Sequence, residues 1–153
     1  MELLSNSFEN GKSIPDRFTV DGENISPPLE IEGVSDNAET LALIMDDPDA
    51  PGSTFVHWII WNIPADVNEI PAGVSPGPSV ENLSGARQGK NDFGELGYGG
   101  PAPPSGRHHY RFKLYSLADA VELPAGATKS DLLDKIKDPV IEKVELVGIY
   151  SRT

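Results

Sequence analysis

The chain has no cysteine among its 153 residues, so disulfides, thiolate metal ligands and thiol redox chemistry are excluded. Basic residues are scarce: 12 Lys and Arg stand against 24 Asp and Glu, a formal charge of −12. That balance favours solubility and argues against a general nucleic-acid or anionic-membrane surface. No stretch approaches the roughly 18 consecutive apolar residues of a membrane span. The opening Met1-Glu2-Leu3-Leu4-Ser5-Asn6 has neither the basic start nor the sustained apolar stretch of a secretory signal. A cytoplasmic protein without integral membrane association is the expectation. Internal repeats and low-complexity tracts are missing too.

What the chain does have is turn chemistry. Its 15 Gly and 14 Pro are spread along the whole length, which suits many short strands joined by turns. The length is near that of one ordinary domain, so residues 1–153 are expected to form a single domain with its own core.

The first third is punctuated by Gly11, Pro15, Asp21-Gly22, Pro27-Pro28 and Gly33, with strands expected at Arg17–Val20 and Leu29–Ile31. Thr40–Met45 is apolar on both faces, the pattern of a central strand buried between layers, and Val56–Ile63 is its expected neighbour. From Pro64 to Pro104 apolar residues thin out, and an unusually long loop is expected, functional or ordered by its own contacts. Tyr110–Leu117 alternates apolar with basic or polar residues, a half-buried strand with one solvated face. A single helix is expected: Thr128-Lys129-Ser130-Asp131 forms a capping box with Asp in place of Glu, Leu132, Leu133 and Ile136 make an apolar stripe, and Pro139 stops it. Val140–Tyr150 returns to strand alternation.

All three histidines fall in two segments. Asp46-Asp47-Pro48-Asp49-Ala50-Pro51 leads through Gly52–Val56 to His57-Trp58, and Gly97-Tyr98-Gly99-Gly100-Pro101-Ala102-Pro103-Pro104 leads through Ser105-Gly106-Arg107 to His108-His109-Tyr110. In each, a proline-stiffened loop delivers histidine to the start of an apolar strand, as a preformed pocket requires. Asp46, Asp47 and Asp49 repel one another unless backbone N–H groups, a histidine or a cation ties them down. Taken alone, the first segment reads as a turn of solvated acids, and a lone histidine is more often structural than functional. Two such segments favour one shared pocket. Gly99-Gly100 can offer N–H donors to an anion. Tandem His108 and His109 point to opposite faces of a sheet, so at most one enters a given pocket.

Reaction classes fare unequally against these residues. No G-x-S-x-G nucleophile elbow and no G-x-x-x-x-G-K-[ST] phosphate loop occurs. Asp47 and Asp49, one proline apart, cannot face each other across a sugar. A metal-assisted hydrolase could draw on His57, His108 and Asp47 or Asp49, although H-E-x-x-H spacing is absent. A binding site in which carboxylate and imidazoles orient a small polar or anionic group needs no missing residue.

These blocks resemble the phosphatidylethanolamine-binding protein family, in its bacterial and archaeal Raf-kinase-inhibitor-like branch. Asp47-Pro48-Asp49-Ala50-Pro51 with His57-Trp58 is similar to the family's first signature, and Gly106-Arg107-His108-His109 to its second, of the form G-x-H-R. Asp21–Pro28, Gly85–Gly94 and Glu145–Gly148 are similar to the same branch, so the resemblance covers essentially the whole chain. Two positions depart from it: His109 stands where the signature often has arginine, and Ala102 where similar proteins often carry cysteine.

The resemblance implies a mainly β protein, a sandwich with a large antiparallel Greek-key sheet, a smaller sheet and one or two short helices. It also implies a pocket for phosphate-like groups such as phosphoethanolamine, lined by Asp47, Asp49, His57, Gly100, Pro101 and His108 and supported by Trp58 and Tyr110. Imidazoles and glycine-loop N–H groups would contact the anion, while Asp47 would hold a histidine in its tautomer or bind an ammonium. No catalytic residue, metal or cofactor is expected. Relatives of this kind regulate kinases or proteases or have no established role, so the expected partners are a small anionic ligand and a kinase or protease, with room for a homodimer.

Overall fold

The computed structural model describes residues 1–152, which form two sheets and one α-helix. In chain order the strands are β1 (Glu2–Leu4), β2 (Lys12–Ser13), β3 (Leu29–Glu32), β4 (Thr40–Asp47), β5 (Phe55–Pro64), β6 (Glu69–Ile70), β7 (Ser79–Val80), β8 (Ala86–Gln88), β9 (Gly106–Leu117) and β10 (Val140–Arg152). Helix α1 (Lys129–Ile136) lies between the last two strands in sequence. The small sheet has the order β1-β3-β6, and the large one β2-β10-β9-β4-β5-β8-β7. Strand β9 returns by a long connection to lie beside β4, a Greek-key crossover. The large sheet is antiparallel except at its edge, where β2 runs parallel to β10.

Alternation along the central strands divides the interior into two layers. Leu41, Leu43 and Met45 of β4 join Tyr110, Phe112 and Leu114 of β9 in a core shared with Leu3, Leu29, Ile31 and Ile70 of the small sheet. Ala42 and Ile44 face the other way and pack with Trp61, Leu117, Leu132 and Ile136 beneath α1. Every residue of β4 is buried, as its doubly apolar sequence requires. The capping box is present: Thr128 Oγ1 accepts from the Asp131 N–H at 3.2 Å, and the Asp131 carboxylate accepts from the Thr128 N–H at 3.1 Å.

Four expectations need correction. Arg17–Val20 is not a strand: Asp16–Phe18 forms a 3-10 turn in which the Asp16 carbonyl accepts both the Thr19 N–H and its hydroxyl. These local bonds replace a ladder. Pro64–Pro104 contains the short strands β6, β7 and β8 and a 3-10 turn at Glu81–Leu83. Leu133 leaves the apolar stripe of α1 and is 36% exposed. On β9, Tyr115, Ser116 and Leu117 are buried in succession, and Arg111 and Lys113 are drawn to a buried aspartate instead of facing open water.

Candidate anion-binding site

The C-terminal end of β4 and the N-terminal ends of β5 and β9 meet at one edge of the sandwich, because both neighbours run antiparallel to β4. A cavity of about 210 Å³ opens there, lined by Asp47, Ala50, Pro51, Phe55, His57, Phe93, Ala102, Pro103, Pro104, His108 and Tyr110. Both proline-rich segments supply walls, as expected of two rigid loops serving one pocket.

His57 reaches this cavity through a break in register. Met45 pairs with Trp58 and Asp46 with Val56, which leaves His57 as the extra residue of a β-bulge. The bulge turns His57 and Trp58 toward the same layer. The imidazole packs among Phe55, Phe93 and Tyr110 at centroid distances of 4.9, 5.5 and 5.2 Å. Its Nδ1 lies 2.6 Å from the Gly99 carbonyl oxygen, which can only accept, so Nδ1 carries the proton. Burial depresses the His57 pKa below the ordinary 6.5, and the Gly99 carbonyl and the charges of Asp47 and Asp92 offset only part of that.

His108 enters from β9 and sets its Nδ1 2.6 Å from Asp47 Oδ2. The other oxygen, Asp47 Oδ1, accepts the Asp49 N–H at 2.8 Å and closes an Asx turn across Pro48. Asp47 therefore takes the first of its two expected roles, holding a histidine. Between the imidazoles stands Tyr110, wholly buried, its ring 6.4 Å from that of His108. Its hydroxyl has no hydrogen-bond partner among the described residues, with the Ala102 backbone close by but outside bonding geometry. Burial, with the charge of Asp47, pushes the phenol far above its usual range, so it stays a neutral donor.

Several residues assigned to the pocket lie outside it. Asp49 turns outward, where one carboxylate oxygen accepts from the His109 backbone N–H at 2.8 Å and from His109 Nδ1 at 2.7 Å. The His109 side-chain bond, with the backbone N–H beside it, holds the Asp49 carboxyl below its usual range. The expected opposition of His108 and His109 is thus observed, and His109 keeps an acidic partner where the family signature often has arginine. Gly100 does not offer its N–H to the cavity: it donates to Asn24 Oδ1 at 2.8 Å, and a Cβ there would collide with Asn24 and the Phe18 carbonyl. The Gly99 N–H is likewise spent on the His57 carbonyl at 2.9 Å. Pro101 is tied back through its carbonyl to the Val20 N–H at 3.2 Å. Trp58 supports the cavity at one remove, edge-on to Tyr98 at 5.6 Å with its Nε1 donating to Gln88 Oε1 at 2.8 Å. Because Asp49 points away and both oxygens of Asp47 are engaged, no carboxylate joins His57 and His108 as a third ligand. Among the described residues no group of three or more His, Asp or Glu converges as a metal set.

Other participants escaped the sequence reading. Phe93, 42% exposed at the mouth, rests on Gly99, where any Cβ would collide with its ring. Buried Asn91 sets this corner: Oδ1 accepts the Phe93 and Glu95 N–H groups at 2.9 and 3.1 Å, and Nδ2 donates to the Gly97 carbonyl at 2.9 Å. The signal available was an aromatic in a polar loop, just after Asn91-Asp92.

On the opposite face of β4, the wholly buried Asp46 accepts from Arg111 Nε, Lys113 Nζ and Lys129 Nζ at 2.9, 3.1 and 2.7 Å. Burial alone would raise its pKa, but the bonds from Lys129 and Arg111 and the surrounding positive charge prevail and hold it below 3.8. No described helix is long and apolar enough to cross a membrane.

Comparison with known proteins agrees with this architecture. The family model "Phosphatidylethanolamine-binding protein" matches residues 4–151. A UPF0098 protein of Pyrococcus abyssi is 47% identical over 99% of this chain and 86% of its own length, and one of Methanothermobacter thermautotrophicus is 46% identical over 99% of both. Among solved structures, a phosphatidylethanolamine-binding protein homologue of Chlamydia trachomatis is 34% identical and superposes with a TM-score of 0.90 over 99% of this chain and 97% of its own. Escherichia coli YbcL, titled a new member of the mammalian PEBP family, is 30% identical with a TM-score of 0.88 over 99% and 98%. With the match running through both histidine segments and both sheets, the chain belongs to the phosphatidylethanolamine-binding protein family.

Proposed function

We propose that the protein binds a small phosphate-like anion in the cavity between His57 and His108, and that it is a binding protein, not an enzyme. The observation that carries this reading is the unpartnered Tyr110 hydroxyl, buried between two imidazoles that are each anchored through Nδ1. A buried hydroxyl without a partner costs free energy that a bound oxyanion would recover. The apolar walls from Phe55, Pro51, Pro103 and Pro104 exclude water and strengthen each polar contact.

Titration with inorganic phosphate or phosphoethanolamine, followed by calorimetry or amide NMR shifts, tests the reading. Saturable binding that weakens roughly ten- to a hundredfold for each hydrogen bond lost in the His57→Ala, His108→Ala double variant supports it. Undiminished binding by that variant, or none by the wild type, refutes it. The metal-assisted hydrolase loses ground because Asp47 is bonded within the site to His108 and the Asp49 N–H, and Asp49 is turned out to His109. A stoichiometric divalent metal retained through purification would restore it. Regulation of a partner kinase or protease, and residence in the cytoplasm, belong to the same proposal. Pull-downs in which pocket variants lose the partner would link ligand to regulation.

A further inference from the structure

The hydrogen-bond inventory of the cavity is unusual for an anion site. His57 Nδ1 donates to a carbonyl at 2.6 Å, and His108 Nδ1 to a carboxylate oxygen at 2.6 Å whose companion oxygen already accepts the Asp49 N–H. Neither ring can move its proton to Nε2 without breaking a buried hydrogen bond. Whenever such a ring is neutral, its Nε2 is a bare lone pair, and both rings line the cavity. The loop N–H donors are spent on Asn24 and on the His57 carbonyl, and no Lys or Arg lines the cavity. What the cavity wall offers a ligand is two acceptors, the Tyr110 hydroxyl just beneath its surface and the nearby negative charge of Asp47.

Resting on the anion reading above, we propose that the cavity selects an oxyanion that brings its own proton: inorganic phosphate or a protonated phosphomonoester, in preference to sulfate or a phosphodiester. The P–O–H group donates to one Nε2, and the Tyr110 hydroxyl donates to another phosphate oxygen. The proton stays on the ligand oxygen or passes to Nε2, and the charge of the complex is the same either way. An anion without a proton meets two lone pairs and is held only after a ring takes a proton from solvent. The titratable and charged groups around the rings are Asp47 from β4, Asp49 from the loop after it, Asp92 from the loop beyond β8, Tyr110 from β9, which also carries His108, and Arg152 from β10, whose charge reaches Tyr110. Arg152, the one cation of this set, is bonded to Asp21 and the Pro103 carbonyl and does not line the cavity, so it gives a ligand no donor in place of that proton.

The test is an anion series in calorimetry at about pH 8 and about pH 5.5, in buffers of different ionisation enthalpy, with inorganic phosphate, methyl phosphate, dimethyl phosphate and sulfate. Inorganic phosphate keeps a P–O–H at the higher pH, whereas a monoester loses its last proton near about pH 6. At the higher pH, phosphate is expected to bind roughly ten- to a hundredfold more tightly than the other three, with little net proton uptake. At the lower pH methyl phosphate draws level with phosphate, which distinguishes an ester from the free ion, and sulfate binds with measurable proton uptake. Long-range proton–nitrogen NMR of the free protein should find both rings as the Nδ1–H tautomer. The Asp47→Asn variant can present its amide N–H to His108 Nδ1 and move the proton to Nε2, so its preference for phosphate over sulfate should shrink; Tyr110→Phe should weaken all anions and leave the preference in place. Equal affinity for sulfate and phosphate at the higher pH without proton uptake, or an Nε2–H tautomer in either ring, would overturn the proton selection and leave the anion site standing. Failure of every anion at both pH values would overturn the anion site itself.

Discussion

Asp46 and Asp47 are neighbours on β4, and strand alternation sends them to opposite faces of the large sheet. Asp46 meets Arg111, Lys113 and Lys129 and is saturated by them. Asp47 meets one imidazole and one backbone N–H, and the chain of contacts continues through His108 into an open cavity. One carboxylate is surrounded by cations and ties α1 to the sheet. The other spends its charge orienting a ring whose far edge stays free. Two acids adjacent in sequence thus separate into a closed structural hub and the support of a binding site, and what separates them is the number of partners each face supplies.

Breaking the hub should have the largest effect. Asp46→Ala leaves three cations without their counter-charge, and a loss of about 3 kcal/mol is expected in urea denaturation, the low end for a broken buried pair because Arg111 and Lys129 keep some water. Phosphate binding by the folded fraction should persist. Tyr110→Phe sharpens the contrast from the pocket side. Removing an unpartnered hydroxyl should leave stability unchanged or slightly raised, while phosphate affinity falls by about 1.5–3 kcal/mol, both read on one preparation.

Acid distinguishes the two faces by the pH at which each gives way. His57 titrates below 6.5 in the folded protein because burial disfavours its charge, so its contribution to stability is complete above about 6.5 and lost as pH falls from there through the depressed value. Asp46 titrates below 3.8, so its contribution survives to about 3.8 and is lost only beneath it. Thermal melts should show the two losses in that order. His57→Phe, filling the space among Phe55, Phe93 and Tyr110, should abolish the first and leave the second. Persistence of the first loss in that variant would assign it to another group. The smallest effect is expected at the rim, where His109→Arg replaces one exposed partner of Asp49 by another and should change stability by less than about 1 kcal/mol.

Much of the frame was legible in local pattern. The doubly apolar Thr40–Met45, the capping box at Thr128 and the terminal strand at Val140–Tyr150 all encode their environment within a few residues, and each formed as expected. Rigid loops pointed to one shared cavity and strand alternation allowed only one of His108 and His109 to enter it; the family resemblance chose His108, and His57 and His108 both line it. The three acids were each expected to need a backbone N–H, a histidine or a cation. All three solutions occur, but which acid takes which was not legible. Asp47 and Asp49 have the same carboxylate two positions apart, and only the packing of β9 against β4 decides that one meets His108 inside and the other His109 outside.

The sequence by itself determined the class of the molecule: a strand-rich, cysteine-free, acidic domain with two proline-stiffened segments carrying histidine to a pocket. Periodicity, turn residues and composition act over short range and can be read along the chain. The bulge that turns His57, the diversion of the Gly99 and Gly100 N–H groups and the isolation of the Tyr110 hydroxyl were decided by tertiary structure alone. Each depends on what a distant segment presents at hydrogen-bonding distance, and an unmet donor exists only once the surrounding chain has closed over it.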